Sequence, residues 1–183
     1  MAWYQTSQLE SCKFTCGYCG NVVATRQGYF YDGKPNQRVY ICPHCEAATY
    51  FDGTRQTPGV APGAEVGHLP GDIDTLYREA RNAISVGSYT AAVLTCRKLL
   101  MNLGVGQGAK ENLKFIEYVD YLAEKGFVPP NGRGWVDHIR TKGNEATHEI
   151  VLMGEGDATD LLSFVEMLLK FIFEFPKRVP VTK

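Results

Sequence analysis

Two cysteine pairs constrain this chain more than any other feature. Cys16-Gly-Tyr-Cys19 and Cys42-Pro-His-Cys45 are both Cys-x-x-Cys, and 22 residues separate them (positions 20 to 41). A Cys-x-x-Cys turn presents two thiolates from one tight bend. Two such turns supply the four soft donors that tetrahedral Zn2+ takes at about 2.3 Å. A redox Cys-x-x-Cys comes singly on a strand-to-helix turn, so the doubled pattern points to one closed, structural zinc site made of Cys16, Cys19, Cys42 and Cys45. With four cysteines available, His44 is expected to be a solvent-facing knuckle residue. Cys12, four residues before Cys16, is expected to be a bystander.

The residues around the pairs alternate in the manner of strands. Val22–Ala24, Gln37–Ile41 and Ala48–Phe51 read as strands, with a turn at Asp32–Asn36. Knuckle, hairpin, knuckle, strand resembles a zinc ribbon, assigned to residues 1–51. A segment this short cannot bury enough core to fold unaided, and a bound metal can supply on the order of 10 kcal/mol of apparent folding free energy. The segment carries four basic and three acidic side chains, so it has no strong basic stripe. Its eight aromatics between Phe14 and Phe51 are divided between a small core and surfaces able to stack on bases.

Residues 52–71 hold Pro58, Pro62 and Pro70 among five glycines and read as an extended Pro/Gly linker. From residue 72 to 183 the period changes to that of helices. Asp72 is the expected N-cap of a first helix that Gly87 stops, and Ser88 opens a second with Cys96 on its apolar face. Leu103–Gly108 reads as a flexible glycine-rich loop. A third helix carries Ile116, Val119 and Leu122 and ends at Gly126, and a fourth carries Trp135, Val136 and Ile139. The fifth, from a cap at Asp157 to a stop at Pro176, is apolar on a wide arc, which predicts a central helix or a dimer contact. The fold class is therefore α+β in two modules, a small β ribbon and an all-α bundle.

Hydrophobic content of 44% and charged content of 21% are ordinary for a globular protein, and a net charge of −1 gives no global field toward nucleic acid or anionic lipid. The first six residues have neither a basic start nor an apolar core, and Leu161–Phe175 is broken by Glu166, Lys170 and Glu174. The expectation is a cytoplasmic chain with no export signal and no membrane partner.

One polar run stands out in the helical half. In Arg140-Thr-Lys-Gly143-Asn144-Glu-Ala-Thr-His148, Arg140, Asn144 and His148 fall at i, i+4 and i+8, on one face of a helix. An arginine fork can hold a phosphate and a histidine can move a proton near neutral pH. The same residues could equally satisfy a helix end, with Arg140 paired to Glu145 or Glu149. With the Tyr89–Leu94 and Arg97–Leu100 stretches, the mid-domain amphipathic helix and the closing apolar helix, this run resembles the domain of unknown function 4145 family, placed in the HEPN superfamily, over roughly residues 72–175. The resemblance implies a HEPN-like helical bundle, commonly dimeric, of a kind used in toxin and antiphage systems. Many such domains are metal-independent ribonucleases with an arginine, a polar residue beside it and a histidine. Here Gly143 precedes Asn144, and seven residues separate Arg140 from His148. The readings carried forward are an adaptor for RNA or a nucleotide, a ribonuclease using the Arg140/Asn144/His148 row, and a module for a protein partner. A homodimer through the helical domain is compatible with each.

Overall fold

A computed structural model of the chain describes residues 3–129, 132, 134–139 and 152–179. The chain divides into two compact units, Met1–Ala61 and Pro62–Lys183.

The first unit is an antiparallel meander in the order β1-β2-β3-β4-β5. Its strands are β1 (Ser7–Thr15), β2 (Val22–Tyr31), β3 (Lys34–Ile41), β4 (Ala48–Asp52) and β5 (Arg55–Thr57). The three expected strands are present, β2 running seven residues further than its apolar start at Val22–Ala24 suggests. Asp32-Gly33 turns β2 into β3, the dipeptide that suits a two-residue hairpin. β1 and β5 were not expected. The β1 period is hidden by a register break between Gln8 and Cys12. β5 is three polar residues, paired only with β4, in the stretch expected to be a linker.

Directly opposed residues share a face of a sheet. On one face Phe51 packs edge to face with Phe14 and Tyr40, which are tilted against each other, at centroid distances of 5.2–6.3 Å, and with Leu9, Val23 and the two buried cysteines they make the core of this unit. On the other face Tyr29, Val39 and Tyr50 form a row across β2, β3 and β4. Trp3 stands edge-on to Tyr29, its indole N–H donating to the Glu46 carbonyl at 2.7 Å.

The second unit is helical: α1 (Gly71–Ser85), α2 (Tyr89–Gly106), α3 (Phe115–Glu124), a short α4 (134–139), α5 (Glu155–Leu169), a π-turn (Lys170–Glu174) and α6 (Phe175–Arg178). α2 packs against α1, α3 and α5, and Cys96, Leu99 and Leu100 at its centre are fully buried. Trp135 of α4 sits edge-on to Phe164 of α5 at 5.2 Å, so it is a core residue. Gly87, at φ 80°, ends α1 with Ser88 N–H on the Ala83 carbonyl and its own N–H on Ile84, as anticipated.

Four details differ from the expectation. α1 begins at Gly71, so Asp72 lies in its first turn beside Asp74, where a negative charge complements the positive end of the helix dipole rather than capping the helix. The glycine run at 103–108 is helical to Gly106, because a Cβ at Gly104 would lie 2.6 Å from the Tyr118 ring; glycine is there to admit α3. Asp157 is the third residue of α5, and its carboxylate accepts the Gly154 N–H at 3.1 Å. The last helix passes through Pro176. The π-turn, closed by Phe175 N–H on the Lys170 carbonyl, widens the backbone just before the residue that has no N–H to give.

The segment before α1 is tied to α5 and the π-turn by two glutamates. Glu166 accepts the Ala64 N–H at 2.9 Å, and Glu174 accepts the Gly67 N–H at 2.9 Å. Tyr77 donates its hydroxyl to the Ala64 carbonyl, and Arg81 donates to the carbonyls of Pro62 and Gly63. Each carboxylate also pairs with the cation one turn on, Glu166 with Lys170 and Glu174 with Arg178.

Candidate metal centre

The connections β1–β2 and β3–β4 are built alike. In the first, Gly20 N–H bonds the Cys16 carbonyl at 2.8 Å and Cys16 N–H bonds the Asn21 carbonyl at 2.9 Å. In the second, Glu46 N–H bonds the Cys42 carbonyl and Cys42 N–H bonds the Ala47 carbonyl, both at 2.9 Å. The residue after the second cysteine is left-handed in each, Gly20 at φ 70° and Glu46 at φ 61°. Glycine takes this conformation without strain and glutamate does not.

These turns bring all four sulfurs together. Cys16 Sγ lies 3.7 Å from Cys45 Sγ, and Cys19 Sγ lies 3.8 Å from Cys42 Sγ. All four lie within 4.8 Å of one another, the one such group of metal-ligating side chains among the described residues. Four sulfurs each about 2.3 Å from a central ion stand about 3.8 Å apart along the edges of a tetrahedron. Two of the six edges match that spacing and the rest lie within 4.8 Å, so the four sulfurs could close around one tetrahedral ion with no coordination position left for a substrate.

The surroundings lower one thiol and raise another: burial pushes the Cys45 thiol up to about 12, whereas Cys19 is lowered. Asn21 donates its side-chain amide to Cys19 Sγ at 3.5 Å. Bonds from the Asn21 backbone, then its side chain, hold the Cys19 thiol down to about 6. Cys16 and Cys42 have no solvent exposure. His44 is exposed and its Nδ1 faces Asn21 at 3.2 Å, outside the sulfur cluster. Cys12 packs beside the same core, its thiol pushed up by burial. Cys96 lies in the helical core, its thiol pushed up to about 12 by burial. Asn21 escaped the sequence reading, although an amide two residues after a knuckle's second cysteine is a recognisable sulfur donor. Arg140, Asn144 and His148, the expected catalytic row, lie outside the described residues.

The sequence pattern of a domain of unknown function, DUF4145, matches residues 78–182, more than half of the chain. The chain belongs to the DUF4145 family. The DUF4145 region begins in α1 and takes in the rest of the helical unit, so the cysteine cluster precedes it. Comparisons with curated proteins and with solved structures give no match. Among the described residues of this DUF4145 protein, no helix is long and apolar enough to cross a membrane.

Proposed function

We propose that this protein is a zinc-dependent adaptor whose ribbon binds single-stranded RNA by stacking. Zinc is the reading of the sulfur tetrahedron: four thiolates and no open position suit a structural ion. Tetrahedral S4 also accommodates iron, so metal analysis of gently purified protein is the first test. One zinc per chain is expected. One iron, or a folded ribbon without metal, overturns the zinc assignment.

The observation that carries the RNA reading is the Tyr29–Val39–Tyr50 row with Trp3 beside it. Three neighbouring strands hold these side chains at fixed spacing, and Tyr50, Trp3 and Tyr4 are 37%, 42% and 79% exposed. Stacking on aromatic side chains is tolerant of base identity and is worth about 1–3 kcal/mol per base. With few basic side chains nearby, affinity should depend shallowly on salt. Tyr50→Ala should weaken binding of a fluorescent oligouridine by roughly 5- to 150-fold. Absence of binding at low salt, or equal binding by Tyr50→Ala, defeats the RNA reading and leaves a protein partner.

A homodimer through the helical domain belongs to the same proposal. Met167, Phe171 and Phe175 follow one another at i, i+4 and i+8, and Phe171 and Phe175 remain 43% and 38% exposed in edge-to-face contact at 5.3 Å. They line an open groove of about 320 Å³ with Ser163, Glu166 and Lys170. An apolar ridge of this kind is a contact surface. Light scattering should give twice the chain mass, falling to one in Phe171→Asp. A monomeric wild type, or a variant that stays dimeric, refutes it.

A further inference from the structure

We propose that Arg97 anchors an oxyanion-binding site in the helical unit, taking the phosphate or carboxylate group of a small ligand. The observation is a buried cation whose Nη1 has no acceptor among the described residues. Arg97 lies on α2 with 8% of its surface exposed, and its Nη1 is out of reach of solvent with no hydrogen-bond partner among the described residues. The guanidinium carbon sits 4.3 Å from the centroid of the Phe115 ring on α3, so one face of the fork is stacked while Nη1 has no acceptor among the described residues.

Five other arginines show what this one lacks. Arg38 reaches Glu10, Arg78 reaches Asp74 and Arg178 reaches Glu174, while Arg26 and Arg81 donate to backbone carbonyls. Each of them is more exposed than Arg97. Arg97 is the buried arginine among the described residues, and its Nη1 has no acceptor there.

The physical chemistry requires an acceptor. A guanidinium does not shed its proton inside a protein, so burial cannot be relieved by neutralisation. Contact with Phe115 offsets only part of the desolvation. A planar fork with a free edge recognises two oxygens at once, the geometry of carboxylate and phosphate. A chloride ion offers no pair of oxygens and should not satisfy it.

The site differs from the cysteine cluster and from the aromatic row, and it is tested separately from them. Full-length protein labelled with 15N-arginine is titrated with inorganic phosphate, acetate and chloride at constant ionic strength. The side-chain N–H signal of Arg97 is assigned by its absence in Arg97→Lys. A saturable shift of that signal with phosphate, acetate or both is expected, and the responding anion identifies the ligand group. Phosphate should also raise the thermal midpoint of wild type, with the apparent affinity at least tenfold weaker in Arg97→Met. A flat response to both oxyanions, or a response equal to that with chloride, overturns the proposal. So does a midpoint of Arg97→Met that rises with phosphate as the wild type's does. Should Arg97→Met fail to fold, the wild-type titration alone decides.

Discussion

Replacing Glu166 by alanine tests whether the segment before α1 is held by carboxylates or merely lies along the helices. The Glu166 carboxylate accepts one backbone N–H, from Ala64, and pairs with Lys170. An amide-to-carboxylate bond contributes about 1.5–3 kcal/mol. Ala64 is exposed, so water recovers part of that, leaving about 1–1.5 kcal/mol. The i,i+4 ion pair adds about 0.3–0.5 kcal/mol. The Tyr77 hydroxyl lies 3.2 Å from the Glu166 carboxylate but keeps its bond to the Ala64 carbonyl in the variant, so it adds little to the loss. The sum is about 1.3–2 kcal/mol, or a thermal midpoint roughly 6 °C lower by helical circular dichroism. Glu166→Gln keeps an acceptor oxygen and should lose less than half as much. The difference should also depend on pH. Burial pushes the Glu166 carboxyl up, but Lys170, the Ala64 amide and Tyr77 together hold it below the usual carboxylate range. Its stabilisation is therefore present above the unfolded carboxylate's range and lost as pH falls through the folded value, so wild type and Glu166→Ala should converge in acid. Midpoints within roughly 1 °C of each other at neutral pH would refute the reasoning.

Two further substitutions have signs that discriminate. Gly104→Ala should destabilise the helical unit by about 1–3 kcal/mol, because the new Cβ meets Tyr118 at 2.6 Å; helix propensity alone would stabilise by about 1 kcal/mol, so a rise in thermal midpoint would contradict the close packing of α2 on α3. Glu46→Gly should stabilise the ribbon by about 0.5–1 kcal/mol by relieving a left-handed glutamate, seen as slower metal loss to a competing chelator.

The sequence disclosed most where chemistry leaves few choices. Four cysteines at that spacing can serve one ion, and the structure brings those four sulfurs together. Gly87 as a helix end was equally legible, because a left-handed residue with two fixed hydrogen bonds has few alternatives to glycine. What stayed hidden depends on partners distant in sequence. The glycine at 104 looks like part of a loop until Tyr118 is placed against it. Glu166 and Glu174 look like a solvated stripe until Ala64 and Gly67 turn their amides toward them. β1 is obscured by its own bulge, and β5 by having only three polar residues. Pro176 looks like a terminator because the widened turn before it leaves no mark on periodicity.

The two units draw their stability from different sources, and this bears on function. The helical unit buries a large apolar cluster centred on Leu99, Leu100, Phe164 and Leu168. The ribbon's cluster is Leu9, Phe14, Val23 and Tyr40 with Cys16 and Cys42, so two of its six buried members are metal-ligand candidates. Without an ion, four thiols stand at 3.7–3.8 Å along the short edges with nothing to bind them together. The knuckles sit at the β1–β2 and β3–β4 connections, on either side of the β2–β3 hairpin. The aromatic row Tyr29–Val39–Tyr50 crosses β2, β3 and β4, so its spacing exists only while those strands keep their register. The proposed stacking surface is thus tied to the proposed metal site, whereas the Met167–Phe171–Phe175 ridge rests on the helical unit's own core. Stripping the metal separates the two contacts: the proposed RNA binding is lost with the sheet, and the proposed dimer remains.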